Sequence, residues 1–290
     1  MNQKQIRSLL TIVELGSIAK SANKLCLAPS TISQQIKELS QELGVELFQP
    51  AGRGIQLTDT GNKLLPSFRQ FQQLAEDIKA EAQSSHTEAH GTLRIFAPSS
   101  MCIYRLPLII DRLQASSPNI EVILIHEPYD YQSALRHREI DAAITVSETI
   151  DSEWHNLALY KEEVLYVTHP NRHKKESLSL SELQKEVLIT TEAECTYRLA
   201  AETHFSNEKI QLRPRQTFSN VEVIKRCLLT NMGIGLLPKC VIQEELNLEL
   251  LKHQKVSGTP YPFHSYLIYP KNRSISSKLN AFIDAAQQST

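Results

Sequence analysis

The stretch of sequence that decides the fold lies at residues 16–43 and reads GSIAKSANKLCLAPSTISQQIKELSQEL. Gly16 ends a preceding helical pattern, and Ser17 is placed to cap a second, short helix. After a turn, Pro29 suits the first position of a third helix, where its missing N–H leaves no hydrogen bond unmade. The stretch therefore predicts two helices joined by a tight turn.

The predicted third helix has an apolar face and a polar face. The apolar residues fall within a narrow arc at about 100° per residue. They are Ile32, Ile36, Leu39 and Leu43. The polar face carries side chains that can bond base edges or phosphates, namely Ser30, Thr31, Ser33, Gln34 and Lys37. This pattern is typical of a helix-turn-helix whose second helix enters the major groove of double-stranded DNA. A helical bundle with a solvated face is the alternative.

Flanking segments extend this unit on both sides. An apolar stripe at helical spacing predicts a first helix that ends near Gly16; it consists of Ile6, Leu9, Leu10 and Val13. Short apolar stretches at residues 47–48 and 55–57 flank a turn-rich sequence, which predicts a β-hairpin, or wing. Arg53 at the tip of this wing is placed to reach a phosphate or a narrow minor groove.

Length and composition bound the remaining possibilities. At 290 residues, the chain is expected to form two or three domains of about 100–200 residues each. The net charge of −1 predicts no partner, and residues 1–58 hold only six basic against four acidic residues, so the DNA hypothesis rests on the pattern of side chains. There is no run of about 18 apolar residues and no signal-peptide core, so we expect a cytoplasmic protein without a membrane partner.

Four segments carry a resemblance to the LysR-type transcriptional regulators, at residues 16–22, 32–39, 42–48 and 52–58. The resemblance implies an all-α winged helix-turn-helix DNA-binding domain at residues 1–58, a linker and dimerisation helix with a hinge at residues 59–90, and an α/β effector-binding domain at residues 91–290. It also implies promoter DNA, a homodimer or homotetramer and RNA polymerase as partners. Gln34 and Pro50 stand where the family usually has arginine, so we expect weaker non-specific DNA binding.

Residues 58–82 form one long helical pattern that Thr58 is placed to cap. Its apolar residues recur at alternating steps of four and three, which is typical of a coiled-coil seam. The predicted dimerisation residues are Leu64, Phe68, Phe71, Ala75 and Ile78. The alternative is a helix that packs on its own domain, and Pro66 inside the pattern disfavours a regular helix. The resemblance implies a long helix that tolerates this proline and pairs antiparallel with its partner's.

Beyond residue 91, strand-like and helical patterns alternate, which predicts a parallel sheet with helices on both faces. Strands are predicted at residues 93–96, 120–125, 142–144, 164–167, 187–189, 233–238 and 266–269. The family resemblance continues at residues 91–95, 140–144 and 233–238. It implies a two-lobed α/β domain like the periplasmic binding proteins, with one lobe at residues 91–160 plus 266–290 and the other at residues 161–265.

Hydroxyl and amide side chains follow several of these strands. Ligands of open α/β sheets bind outside the carboxyl ends of the strands, so convergence of these side chains predicts a pocket. The predicted effector residues are Ser99, Ser100, Thr145, Ser219 and Asn220. Alternatively, each side chain only caps its own helix, and Ser219 with Glu222 predicts a capping box. The resemblance implies a small, often anionic metabolite, and Arg198 is a candidate partner for its carboxylate; an ordinary ion pair is the alternative for Arg198.

The sequence does not contain the motifs that are typical of other function classes. There is no nucleophile beside a base, metal-ligand spacing, P-loop or dinucleotide motif, so we expect no enzyme, metal or cofactor. A small-molecule-binding protein that does not bind DNA would need export, and no signal is visible. The five cysteines have no paired spacing, so reduced thiols are favoured. A redox-sensing regulator that uses Cys195 remains the alternative.

Overall fold

Three helices form the N-terminal part of the computed structural model, which describes residues 1–52, 54–83, 89–126, 130–271 and 274–289. They are α1 (Gln3–Leu15), α2 (Ile18–Leu25) and α3 (Pro29–Leu43). Gly16 adopts a left-handed conformation (φ 62°) that ends α1, and the Ser17 side chain accepts a hydrogen bond from the backbone N–H of Lys20. Pro29 lies in the first turn of α3. The predicted helix boundaries are therefore confirmed.

An antiparallel hairpin follows, made of β1 (Phe48–Ala51) and β2 (Gly54–Leu57). The Thr58 hydroxyl accepts a hydrogen bond from the Gly61 backbone N–H at 3.0 Å and donates one to the Glu46 carbonyl at 2.7 Å. A Cβ at Gly61 would lie 2.4 Å from the Leu47 carbonyl oxygen, so only glycine lets the next helix approach the hairpin this closely. Arg53 lies outside the described residues, and its DNA contact remains a prediction.

Helix α4 (Asp59–Gln83) continues through Pro66. Its packing differs from the predicted coiled-coil seam. Phe68 is 4% exposed and belongs to the core formed by α1 to α3, and Leu64 and Phe71 pack against the same core. The first half of the seam therefore packs on its own domain, because α4 lies against α1 and β2 and covers their apolar side chains. Only the second half stays open: Ala75 is half-buried, and Ile78 is 59% exposed.

The C-terminal part combines nine strands with eight helices in its described residues. In chain order the elements are β3 (Gly91–Phe96), α5 (Ser99–Tyr104), α6 (Leu106–Ser116), β4 (Ile120–Ile125), α7 (Tyr131–Arg136), β5 (Ala142–Ser147), β6 (Trp154–Thr168), a 3₁₀ turn (Pro170–Arg172), α8 (Leu180–Leu183), β7 (Leu188–Thr190), α9 (Thr196–Asn207), β8 (Gln216–Thr217), α10 (Val221–Leu229), β9 (Ile234–Pro238), α11 (Lys239–Asn247), β10 (Lys252–His253), β11 (Tyr261–Pro270) and α12 (Ser277–Gln287).

The strands form one mixed sheet in the order β4-β3-β5-β11-β6-β9-β7-β8, with β10 also paired to β6. The prediction of a parallel sheet holds for β4-β3-β5 and for β9-β7-β8, but β11 and β6 run antiparallel to their neighbours. The sequence showed only parts of these two strands. The first half of β6 is partly exposed and polar, so its apolar pattern is visible only near residues 164–167.

Strands β6 and β11 join the two sets of parallel strands, which form the two lobes of the domain. The register of β11 on β6 shifts between Ser265 and Tyr266, opposite residues 158–160. This shift coincides with the predicted lobe boundaries, although the division into domains remains a prediction.

Helices cover both faces of the sheet. On β3, Leu93 and Ile95 belong to the core that includes α6 and α12, whereas Phe96 belongs to the core that includes α7. The second lobe repeats this alternation on β6, where Tyr166 and Val167 belong to different cores. Because consecutive strand residues point to opposite faces, both faces must be apolar and covered. Among the described helices, none combines the length and apolar character that spanning a bilayer requires.

We expect Phe68→Ala to lower the free energy of unfolding of the N-terminal domain by about 3–5 kcal/mol, the usual cost of removing a buried phenylalanine ring. Chemical denaturation followed by circular dichroism measures this loss. Lys63→Ala, an exposed change on the same helix, is the control and should stay within about 0.5 kcal/mol of the unaltered protein. Equal stability of both variants would contradict the packing of α4 on this domain.

Candidate nucleic-acid and effector sites

Helix α3 presents its predicted DNA-binding residues on one exposed face. Ile32, Ile36 and Leu39 are buried against α1 and α2. All five predicted contact residues of this helix are exposed, namely Ser30, Thr31, Ser33, Gln34 and Lys37. Their hydroxyl, amide and ammonium groups are therefore accessible to a nucleic acid. The sequence interpretation missed Glu38, which accepts a hydrogen bond from the Gln34 amide at 2.9 Å; their spacing of four residues on a helix was the available signal.

A cleft of about 300 Å³ lies between the two lobes of the C-terminal part. Four of the six predicted effector residues line it: Ser99, Ser100 and Thr145 from the first lobe, and Ser219 from the second. These residues are far apart in sequence, and the sheet brings their strand ends together as expected for an open α/β sheet.

Asn220 is not one of the residues that line the cleft, because its side chain caps α10. The Asn220 Oδ1 atom accepts a hydrogen bond from the Glu222 backbone N–H at 2.8 Å. The predicted capping box of Ser219 with Glu222 is therefore wrong by one residue. Serine and asparagine are equally good caps, so the sequence did not distinguish them.

Arg198 is also not one of the residues that line the cleft. The Nε and Nη1 atoms of its guanidinium form hydrogen bonds within the lobe. Its Nε donates to Glu202 Oε1 at 2.7 Å, and its Nη1 donates to Thr190 Oγ1 at 2.8 Å. The side chain is buried, and it fastens the first turns of α9 to the end of β7. The predicted carboxylate-binding role is thus replaced by the ion pair that the Glu202 spacing allowed.

The charged residues of the cleft were not expected. Glu192 and Glu194 line it, and His126 lies on the other lobe's side. Of the described lining residues, none is lysine or arginine. Phe96 and Tyr131 contribute a stacked pair of rings with centroids 5.1 Å apart. Among the residues that the structure describes, the cleft is therefore acidic rather than basic.

Two neighbouring buried hydroxyls in the cleft have no hydrogen-bond partner beyond each other among the described residues. Ser100 is 1% exposed and Tyr197 is 3% exposed. Burial raises the pKa of the Tyr197 phenol, and the nearby Ser100 hydroxyl opposes this only in part, so the phenol stays a neutral donor. Buried polar groups are almost always paired, so these two hydroxyls are available to a polar partner from outside the chain.

Two family models match the chain. "Bacterial regulatory helix-turn-helix protein, lysR family" matches residues 3–62, and "LysR substrate binding domain" matches residues 86–290. The chain belongs to the LysR family of transcriptional regulators. It is a DNA-binding regulator with an effector-binding domain, and LysR proteins are not enzymes, as the sequence predicted.

Relatives and solved structures agree with this assignment. YwqM, an HTH-type transcriptional regulator of Bacillus subtilis, is 28% identical over 295 residues that cover 99% of each chain. The HTH-type transcriptional activator CmpR of Synechocystis is 26% identical over 285 residues, 97% of this chain and 93% of that one. CbnR in complex with its target DNA has the same fold, with a TM-score of 0.71 at 18% identity over the whole of both chains. Full-length OxyR from Pseudomonas aeruginosa has a TM-score of 0.73 at 17% identity, covering 100% of this chain and 96% of that one.

A polar cluster joins the lobes of this LysR protein beside the cleft. The Lys225 ammonium on α10 contacts Glu222 at 2.9 Å, Glu245 on α11 at 3.0 Å and the Tyr104 hydroxyl on α5 at 2.6 Å. Tyr104 also donates to Glu222. Burial alone would lower the pKa of Lys225, but the two carboxylates raise it above its usual value. The ammonium therefore stays charged, and we call this group the Lys225 latch.

Two partly buried thiols near the latch have raised pKa values. Burial raises the pKa of Cys102 on α5 to about 11 and that of Cys240 on α11 to about 12. Both thiols are therefore protonated at neutral pH, and a thiol in that state is a poor nucleophile.

We expect Lys225→Met to lower the free energy of unfolding by about 3 kcal/mol, because Glu222 and Glu245 lose their buried counter-charge. Urea denaturation measures the change. Lys239→Met is the matched control: its pair with Glu163 is 46% and 38% exposed, so we expect at most about 1 kcal/mol. Equal losses in both variants would contradict a structural role for the latch.

Proposed function

We propose that this LysR protein responds to a small effector that carries both an anionic and a cationic group, such as an amino acid, bound in the cleft between its lobes. The observation that carries the proposal is the pair of neighbouring buried hydroxyls at Ser100 and Tyr197, which no other described group satisfies, in a cleft that also holds two carboxylates. The two hydroxyls can donate to an acceptor on the ligand, and the two carboxylates can accept from a positively charged donor.

The anionic group belongs at the hydroxyl side of the cleft. Ser99, Ser100 and Thr145 offer donors from the first lobe, and Tyr197 offers one from the second. The twelve-residue helix α9 begins here, and its N-cap residue Cys195 makes no side-chain cap. Free N–H groups at a helix start favour an anion, which strengthens the assignment.

The cationic group belongs at Glu192 and Glu194. A purely anionic ligand would face two like charges with no described lysine or arginine to offset them. An ammonium group removes this repulsion and supplies donors to both carboxylates. The stacked Phe96 and Tyr131 rings give its carbon skeleton an apolar wall.

Binding must favour one arrangement of the lobes to affect transcription, because a ligand with equal affinity for both arrangements shifts nothing. Helix α5 carries Ser99 and Ser100 at its start and Tyr104 at its end, and Glu222 in the first turn of α10 follows Ser219. We propose that lobe closure around the effector changes the Lys225 latch and, through the linker, the separation of the winged helices. The predicted hinge spans residues 83–90, of which 84–88 lie outside the described residues.

Calorimetric titration of the full chain with amino acids, each paired with its N-acetyl derivative, tests the proposal. We expect at least one amino acid to bind and its N-acetyl derivative to fail. Ser100→Ala should weaken that binding about 10-fold or more, because a hydrogen bond to a charged group is lost, while DNA binding stays close to the unaltered protein. Ser206→Ala, an exposed serine elsewhere on the second lobe, is the control. Undiminished affinity of Ser100→Ala would contradict this site.

We further propose that the protein acts on promoter DNA in the cytoplasm as a homodimer or homotetramer, with RNA polymerase as a further partner. The exposed part of α4 supports association. Leu74 and Ile78, one helical turn apart, are 43% and 59% exposed, and apolar side chains of this kind favour a partner surface.

We expect Ile78→Asp to shift the protein toward monomers in sedimentation velocity, because it places a charge in this apolar contact. Arg69→Asp, on the opposite face of α4, is the control. Phe71→Asp is a poorer test, since Phe71 packs on its own domain. If Ile78→Asp sediments like the unaltered protein, association depends on the effector domains instead.

One observation favours redox sensing as a second candidate. Cys195 lines the cleft at the start of α9, and its thiol is free and only partly buried, so a small oxidant can reach it. Among the described lining residues it is the single cysteine, so a disulfide would need movement of another element. Mass spectrometry after mild peroxide treatment separates the candidates: selective oxidation of Cys195 supports redox sensing, and its absence supports the effector hypothesis.

A further inference from the structure

A chain of hydrogen bonds links the start of α1 to the exposed face of α3. The Asn2 backbone N–H donates to Gln5 Oε1 at 3.0 Å, and Gln5 Nε2 donates to Glu38 Oε2 at 3.3 Å. The other carboxylate oxygen, Glu38 Oε1, accepts a hydrogen bond from Gln34 Nε2 at 2.9 Å. We call this chain the Gln5–Glu38–Gln34 relay.

The relay fixes which way each amide points. A backbone N–H can only donate, so the oxygen of the buried Gln5 amide must face Asn2 and its NH₂ group must face Glu38. The ionised carboxylate can only accept, so Gln34 must turn its own NH₂ group toward Glu38. A glutamine amide is otherwise free to flip, and here a flip would set its oxygen against a carboxylate.

We propose that the oriented Gln34 amide selects an adenine in the major groove. This inference rests on the proposed presentation of α3 to DNA. With one amide hydrogen held by Glu38, Gln34 offers its Oε1 atom as an acceptor and its second amide hydrogen as a donor. Adenine presents N6–H₂ as a donor and N7 as an acceptor, which match both groups.

The other bases satisfy Gln34 less well. Guanine presents two acceptors, N7 and O6, so the Gln34 oxygen would face an acceptor. Cytosine offers a single donor and thymine a single acceptor, so each forms one bond at most.

Glu38 is a positioning residue in this scheme. As a carboxylate near the phosphates it disfavours non-specific binding, because like charges repel. Its removal should therefore leave overall affinity equal or higher while it releases the Gln34 amide to flip. A weaker preference for adenine over guanine without a loss of DNA affinity would not follow if Glu38 only stabilised the fold.

The experiment selects binding sites from a randomised duplex library with the full-length protein, and competition titrations then measure each base preference. We expect one position at which adenine is preferred by roughly 5- to 150-fold, the range for one bidentate base contact. Gln34→Ala should abolish this preference and leave the other positions unchanged. Glu38→Ala should lower the adenine-to-guanine ratio at the same position at least about 5-fold. Gln41→Ala, an exposed glutamine at the far end of α3, is the control.

The outcomes separate the inference from the proposed DNA contact. If the unaltered protein selects no sequence, the proposed presentation of α3 fails. If a sequence is selected but Gln34→Ala leaves every position unchanged, or if the position that depends on Gln34 prefers guanine, the adenine inference is overturned. An unchanged adenine-to-guanine ratio in Glu38→Ala overturns the positioning role. Gln34 is exposed, so its variant should fold, and a melting curve of each variant checks this.

Discussion

Strand β11 pairs with β6 from Tyr261 opposite Val164 to Pro270 opposite Trp154, and both lobes of the effector domain are built outward from this pair. In the first lobe β5 extends the sheet from β11, and in the second β9 extends it from β6. Each backbone polar group that enters the core must be paired, so the two long strands hold the lobes in one continuous sheet. The cleft, the latch and the helix starts that face them all depend on this connection.

The chemistry of the cleft follows from what this framework leaves unpaired. The Arg198 guanidinium donates to Glu202 and Thr190, and the Asn220 side chain accepts a hydrogen bond in the first turn of α10. The hydroxyls of Ser100 and Tyr197 are buried without such partners. The proposed ligand site therefore consists of polar groups that the fold buries but does not satisfy, and leaving them unpaired costs stability that a ligand can restore.

The DNA-binding domain also combines side chains that hold the fold together with side chains that stay exposed. Phe68 joins α4 to the core of the first three helices, so the winged helix and the start of the linker form one packed unit. In the same unit, Glu38 connects the buried Gln5 to the exposed Gln34. In the proposed contact with DNA, orientation of a surface amide by a buried one reduces the number of side-chain states that α3 must give up on binding.

The sequence by itself determined the local elements. Gly16, Ser17 and Pro29 set the boundaries of the first three helices because left-handed backbone, side-chain caps and a missing N–H act within a few residues. The same local signals, with the segments that resemble the LysR family, were enough to identify the fold and the convergence of Ser99, Ser100, Thr145 and Ser219 on one cleft.

Tertiary structure decided which partner each side chain meets. Phe68 and Ile78 share one apolar pattern, yet Phe68 is buried in its own domain and Ile78 is exposed, because the apolar core of that domain meets only the first half of α4. Glu192 and Glu194 give the cleft its charge, and no local pattern marked them, since their effect depends on strand ends that are distant in sequence. Periodicity identifies an apolar or polar face, but the atoms opposite that face come from other segments of the chain, and packing alone brings them there.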